Sequence, residues 1–556
     1  MIHLIFSAIV AAAGAVIPTP VPTPVTPAVP TVAPGYKAPD VPPTNADIVG
    51  VAQQPFVGIS LENAIGMALL KNPDLSIAAG DTRIAVFQVQ QAKGANDVHF
   101  FVEPSIKHDT TAAENAFFSG GTDFQPIVQN YQTVAAGFEG QVSNSGTQYN
   151  VNISQTKVND NTFIDAFNPY YLASLNVSVT QPLLKNLAMN DSKRQIELSF
   201  VNADATQAST LASVSTTVSS VENAYWDLVA AWRNVAIQED ALRQSVSQQQ
   251  SNVRLAKRGA AAPIDAVESS TQVSFYQQQV FAALQNVSAL QNELKSLIVT
   301  DPGDPIWRAN LVPTSSVLQL PTSPSVDTVL AAAMQNRPEV REAIDAQKQA
   351  DVNLAYAKNQ RLPQADLQLS YNGNGFAGNA LPPLGAPFGV ATPPPYYDGG
   401  LGSAYGNIGR FPTYSAGIQI STPLGNNTAK GAYSAAQEQE HNAEVSRLGT
   451  AERIQYEVRN AVQNYRAALA QLFAARQARV AAEQVLASEE RKFHNGESTT
   501  FLVDQRQVTF VQDEGLELQA QTLLNKAVVE LQRVDGSILN QGGLSMTTLG
   551  SQALKP

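Results

Sequence analysis

Leu61-Glu62-Asn63-Ala64, Lys71-Asn72-Pro73-Asp74-Leu75 and Ala92-Lys93 return later in the chain as Val326-Asp327-Thr328-Val329, Asn336-Arg337-Pro338-Glu339-Val340 and Ala357-Lys358, every residue displaced by 265. Further along, Val221, Ala224, Ala230 and Gly259 fall on Val458, Ala461, Ala467 and Gly496, a displacement of 237. Between these, Ser174, Val177, Val179, Pro182 and Leu183 meet Ser415, Ile418, Ile420, Pro423 and Leu424 at 241. A duplication of this extent makes each half a structural unit, with function belonging to their assembly. A pseudo-twofold chain that goes on to oligomerise is a natural way to build a ring or tube.

The repeats organise the rest of the 556 residues. We read a signal peptide over 1–15, a Pro-rich linker over 16–54, a first repeat over 55–300, a linker over 301–325, a second repeat over 326–540 and a tail over 541–556. The leader rests on the apolar run Leu4 to Ile17 with Ala13-Gly14-Ala15 as a small-residue cleavage site. No Lys or Arg stands near Met1, and a buried N-terminal segment is the alternative. No later stretch is apolar for the 18 residues a spanning helix needs. An exported chain of this kind is secreted, periplasmic or inserted as a β-barrel.

Composition removes whole classes of function. A formal net charge of −12 and a pI near 5.0 provide no basic stripe for nucleic acid. Cysteine is absent, which excludes disulfides, thiol nucleophiles and cysteine metal sites. The five histidines (His3, His99, His108, His441, His494) show no ligand spacing. Gly399-Gly400-Leu401-Gly402 lacks the strand–helix context of a phosphate loop. We expect no catalytic residues, no metal and no cofactor.

A sequence rich in Ala, Gln, Glu and Val, and over long stretches free of Gly and Pro, predicts helices at about 61–95, 191–256, 265–299, 327–360, 432–493 and 502–538. The two long ones would each span about 90–100 Å at 1.5 Å per residue. Val214, Val218, Val221, Ala224, Tyr225 and Leu228 recur at spacings of three and four, as a coiled-coil-like seam requires. Narrow apolar seams on otherwise polar helices fit the wall of a hollow tube.

Two regions break this pattern, one in each half. Phe100, Val102 and Ile106, and Leu175, Val177 and Val179, alternate with polar residues. Leu367, Leu369 and Tyr371, and Ile418 and Ile420, do the same in the second half. Such alternation marks a barrel strand with one lipid face and one wet face; a half-buried strand of a soluble sandwich would alternate too. Aromatics crowd both regions (among them Phe117, Phe118, Phe138 and Phe163, then Phe376, Phe388 and Phe411), as an interfacial girdle needs. Segments 135–142 and 148–157, flanking Ser143-Asn144-Ser145-Gly146, read as an extra hairpin. It either enlarges the barrel or stands above the membrane. Four strands per chain cannot close a barrel, so an oligomer is required.

This ordered set resembles the TolC-like outer membrane efflux protein family over roughly 55–540. Its carriers are Leu61-Glu62-Asn63-Ala64 with Asn72-Pro73, Gln181-Pro182-Leu183 and Thr422-Pro423-Leu424, Ala224-Tyr225-Trp226-Asp227-Leu228, and Gly496-Glu497-Ser498-Thr499-Thr500-Phe501-Leu502-Val503. The resemblance implies a mixed α and β membrane protein. Its homotrimer would close a 12-stranded outer-membrane β-barrel in lipid, continued by a long α-helical periplasmic barrel. It also implies a periplasmic adaptor (membrane fusion) protein and an inner-membrane transporter as partners. The function expected is a passive exit duct of a tripartite efflux or type I secretion system. An exported coiled-coil scaffold or adhesin without channel activity, and a periplasmic enzyme or binding protein, are the alternatives. Drug, metal-ion and protein cargo all stay open.

Two turns occupy equivalent places after the long helices: Arg258, Gly259 and Ala260, and Asn495, Gly496, Glu497 and Ser498. Glycine just past a helix end takes the left-handed conformation that stops the helix. Capping chemistry alone accounts for them; the resemblance implies adaptor-docking tips beside the narrowing of the tunnel. Asp265, six residues after Gly259, matches an acidic position of the family's gating network. Six residues after Gly496 stands Leu502, and the acidic residue is Asp504 at eight. A ring of Asp504 and a hydrophobic Leu502 gate are both candidates.

Overall fold

Asn72 and Arg337 each precede a proline and are extended, with ψ of 128° and 130°. The residue before proline is driven out of the helical region, so each helix expected at 61–95 and 327–360 divides in two. A strand β1 (Phe56–Ile59) leads into α1 (Leu61–Lys71) and α2 (Pro73–Lys93). Then come β2 (His99–Thr111), β3 (Ile127–Val142), β4 (Thr147–Asp160) and β5 (Phe167–Pro182). The first half closes with α3 (Asp191–Lys257), α4 (Pro263–Ile298) and β6 (Asn310–Pro313). In the second half follow α5 (Val326–Asn336), α6 (Pro338–Gln360), β7 (Gln364–Ala380), α7 (Leu401–Gly406), β8 (Phe411–Ser421), α8 (Asn427–His494), α9 (Thr500–Val534) and the short α10 (Ile538–Gln541). The computed structural model describes residues 56–113, 124–162, 165–259, 262–315, 324–381 and 393–541. The leader and spacer expected before residue 55, most of the 541–556 tail, Ala260, Phe117, Phe118, Phe163 and Phe388 lie outside them.

Helices α3 and α8 run 67 and 68 residues, about 100 Å each. Beside each lies a composite track of two shorter helices stacked end to end. Asn72 Nδ2, at the start of α2, donates to Leu297 O near the end of α4, 3.0 Å away. Asn336 Nδ2, before α6, donates to Asp535 O after α9, 3.4 Å away. The predicted seam is buried: Val214, Val218, Val221, Ala224, Tyr225 and Leu228 pack in one core with Ala64, Ala68, Leu294 and Ile298. A second core joins Ile454, Val458, Val462 and Tyr465 to Val329, Leu524 and Val528. Burial of apolar area along these seams, at about 25 cal/mol per Å², holds helices whose other faces are polar.

The first core carries a feature invisible to periodicity. Strands β1 and β6 form a four-residue parallel ladder, pinned to α3 by Tyr225, whose hydroxyl donates to Ile59 O at 3.1 Å and accepts from Ser315 N at 2.9 Å. Trp232 Nε1 donates to Leu311 O at 2.9 Å.

At one end of the helices the remaining strands form one antiparallel sheet in the order β2-β3-β4-β5-β7-β8. Among the described residues the chain therefore contributes six strands to this sheet, where alternation had supplied four. The count of twelve for three copies falls with it. The hairpin that turns at Ser143–Gly146, with Gly146 at φ 68°, pairs with β2 through residues 127–139 on one side and with β5 through residues 148–158 on the other.

Register sorts the side chains into two faces across all six strands. One row reads Phe100, Phe138, Val151, Val177, Tyr371, Tyr414, and the next Val102, Ala136, Ile153, Leu175, Gly373, Pro412. On the opposite face stand His99, Glu139, Asn150, Ser178, Ser370, Ser415. That face is laced by side-chain hydrogen bonds: Asn176 Nδ2 to Asn152 Oδ1 at 2.8 Å, Asn152 Nδ2 to Asn150 Oδ1 at 2.7 Å, and Asn150 Nδ2 to Glu139 Oε2 at 3.3 Å. It also bears an open concavity of about 380 Å³ lined by His99, Glu139, Gln141, Asn150 and Ser178. Strand lengths of 11 to 17 residues reach or exceed the 9–11 needed to cross a bilayer.

Beyond the start of β8, the upper edge of β7 is occupied by residues 393–410. Asp398 bridges to Gly378, and Asn407 Nδ2 donates to Phe376 O at 2.9 Å. Helix α7 lies on the apolar face, where Ala404 meets Ala173 and Ala377. Gly375 makes the approach possible, because a Cβ there would collide with the Ala404 carbonyl.

Candidate gate and docking tips

Helices α3 and α8 have nearly equal length, so each ends about 100 Å from its start, and α9 is bonded to α3 near those ends. Both stop in the same way. Gly259 and Gly496 take φ of 75° and 79°, the left-handed region in which glycine has no Cβ penalty. Gly259 N donates to Ala256 O, and Gly496 N to Phe493 O, each at 3.0 Å. Glu497 N then donates to Lys492 O at 2.8 Å, which completes a Schellman motif. Arg258, Asn495, Gly496 and Glu497 are exposed at the apex, and a Cβ added at either glycine would meet nothing within 4 Å.

Asp265 turns inward on its own helix: its Oδ2 accepts from Ala262 N at 3.2 Å, satisfying an orphan donor at the start of α4. In the second half Thr499 takes the capping role, its hydroxyl accepting from Leu502 N at 3.4 Å. Ser498 Oγ donates to Glu489 Oε1 at 2.5 Å. That bond is the leading cause that holds the Glu489 carboxyl below its ordinary value.

Asp504 sits differently. It is half-buried between Val503 and the buried Gln507, and its carboxyl is pushed up to about 6, first by burial and then by the negative charge of Glu268. Its field also adds to the raised value of the buried Tyr276 phenol, whose main cause is burial. Glu268 and Tyr276 belong to α4, so residues of the two halves share one acidic neighbourhood. Gln507 Nε2 fixes α9 against α3 through Gln244 Oε1 at 3.2 Å and Ala241 O at 3.4 Å. Of the three sequence candidates, Asp265 caps a helix, Leu502 is half-buried one turn into α9, and Asp504 alone meets a like charge across the repeat. Glu268 escaped the sequence reading. Its only signal is its place three residues after Asp265, on the same helix face.

No protein-family model matches the sequence, and no curated protein matches it. Solved structures do. The chain superposes on the CmeC outer membrane channel of Campylobacter jejuni with a TM-score of 0.59 and 14% identity, covering 89% of each chain. It matches the outer-membrane channel OprN at 0.59 and 15%, covering 90% of this chain and 98% of that one. The MtrE outer membrane channel of Neisseria gonorrhoeae, in its open state, matches at 0.57 and 16% over 86% and 88%.

The chain has the outer-membrane-channel fold.

The resemblance to the TolC-like family read from the sequence is thus a resemblance of fold along nearly the whole chain. Within the outer-membrane-channel fold, the tips and the Asp504–Glu268 pair lie at the end of the helical shaft far from the sheet. Among the described residues, no helix is long and apolar enough to cross a membrane; the apolar rows of the sheet are a separate feature.

Proposed function

We propose that this chain is the outer-membrane exit duct of a tripartite efflux or type I secretion system, working as a trimer and conducting cargo passively from periplasm to exterior. The observation that carries it is the register of the sheet: apolar rows run unbroken across six strands on one face, and a hydrogen-bonded polar ladder covers the other. Lipid suits the first face and water the second. The two edge strands, β2 and β8, are exposed in the single chain and find partners when copies close into a ring. At the far end, the exposed Arg258, Gly259, Asn495, Gly496 and Glu497, with the half-buried Ser498, are the docking surface for a periplasmic adaptor, and an inner-membrane transporter supplies the energy. Asp504 and Glu268 form the gate: with both ionised they repel, and protonation of Asp504 near pH 6 removes that repulsion.

Fractionation tests the duct. A detergent-extracted trimer from the outer membrane, cross-linking to an adaptor from cysteines introduced at Arg258 and Ser498, is the expected result. A monomer released with the soluble periplasm, behaving as a scaffold, overturns it.

A further inference from the structure

Among the described residues the hairpin β3–β4 has no equivalent in the second half. Strand β7 follows β2 at the 265-residue displacement and β8 follows β5 at 241. Where the first half places β3 and β4, the second places residues 381–410, whose described part packs on β7. Two added strands are the smallest insertion that leaves β2 and β5 antiparallel to their new neighbours. The hairpin also continues both faces: Phe138, Ala136, Val151 and Ile153 on the apolar rows, Glu139, Asn150 and Asn152 on the polar ladder. It is built as wall, with no face left over for a separate lid.

Widths point the same way. Each chain lays four helical tracks side by side: α3, α8 and the two composite ones. At about 9 Å between neighbours they cover about 36 Å of circumference. Strands 4.8 Å apart and tilted about 40° each cover about 6 Å. Six then cover about 37 Å, matching the helices, whereas four would cover about 25 Å.

We propose that three copies close an eighteen-stranded barrel in which the β3–β4 hairpins set the bore, about 1.5-fold wider than twelve strands allow, since diameter grows roughly linearly with strand number. The pore is thereby matched to cargo of larger cross-section, such as large or chain-like solutes. This rests on the exit-duct reading.

The absence of cysteine from the sequence makes single-cysteine labelling clean. In membranes, Asn152→Cys is expected to react with a charged, membrane-impermeant maleimide at least 10-fold faster than Val151→Cys, with the order reversed for a lipid-soluble maleimide. Equal labelling by the charged reagent overturns the proposal, because it puts the hairpin in water on both faces. Native mass spectrometry of the detergent-extracted channel is expected to count three chains; two chains, closing twelve strands, overturn it. In planar bilayers, polyethylene glycols added from the barrel side should enter the wild-type channel up to a radius about 1.5-fold larger than in a variant with 112–166 replaced by a short linker. Equal cut-offs overturn the bore. If that variant does not fold, the cysteine pair and the copy number decide. A protein absent from membranes altogether overturns the underlying duct instead.

Discussion

The two halves of the molecule agree along the shaft and part company where they do something. Helices α5, α6, α8 and α9 begin where their counterparts begin once shifted by 265 or 237, to within one residue. At the joints, the sheet and the inner tip, the same positions hold different chemistry. Trp226 is 1% exposed, and its counterpart, Gln463, is exposed. Asn72 caps a helix where Arg337 builds an ion-pair network. Glu222 is buried where Arg459 is exposed. The first half carries the packed centre, with β1 and β6 laid on α3, and the second half is held more by charge.

Substitution at equivalent positions should break that contrast most visibly in the core. Trp226→Ala is expected to cost about 4 kcal/mol through the cavity it leaves, and Gln463→Ala less than about 0.5 kcal/mol. Thermal melting of the detergent-extracted protein measures both, and equal losses would erase the distinction.

Arg337 comes next. Its guanidinium is 4% exposed and reaches Glu457 at 2.6 Å and Glu339 at 2.9 Å. Arg337→Ala strands Glu339 and leaves Glu457 with Arg533 alone, 3.8 Å away, and should cost about 3 kcal/mol. Asn72→Ala removes a cap and the bond to Leu297 O, about 1–2 kcal/mol.

Glu222 gives the contrast a pH axis. Burial alone pushes its carboxyl from 4.5 to about 7, so the folded state holds the proton more tightly than the unfolded chain. Its favourable contribution is complete below pH 4.5, shrinks as pH rises and is gone above about 7. Glu222→Gln should therefore melt like wild type near pH 4.5 and be more stable at pH 8 by up to about 3 kcal/mol. No pH dependence in the difference would show the carboxylate to be solvated. Arg459→Gln should show none.

The tips should behave alike, which sharpens the contrast from the other side. Gly259→Ala and Gly496→Ala each force a side chain into the left-handed region, at about 1 kcal/mol, and unequal losses would mark one tip as built differently.

Much of this was readable from residues alone. Gly259 and Gly496 end the long helices through local backbone physics, and the repeat doubled that signal, whereas the breaks at Pro73 and Pro338 went unread in the helices expected at 61–95 and 327–360. The seam from Val214 to Leu228 was legible because a 3.6-residue period survives in sequence. The sheet was legible only strand by strand. Alternation tells which residues share a face but not which strand lies beside which, so Phe138 opposite Phe100 could not be foreseen. Four-residue strands such as β1 and β6 are too short to show a period. Glu268 was hidden because its meeting with Asp504 joins residues 236 positions apart in the chain.

The open edges of β2 and β8 have a consequence for how the molecule is made. All eleven residues of β8 are exposed in the single chain, as is nearly all of β2. A lone chain thus carries two unsatisfied ribbons that will accept any extended segment they meet. Residues 393–410 already shield the top of β7, which leaves the lower registers as the place for productive pairing. With the ring proposed above, maturation becomes a race in chain concentration. Dilute protein lingers with bare edges and goes astray, whereas closely spaced chains seal one another, so yield should climb faster than the amount synthesised.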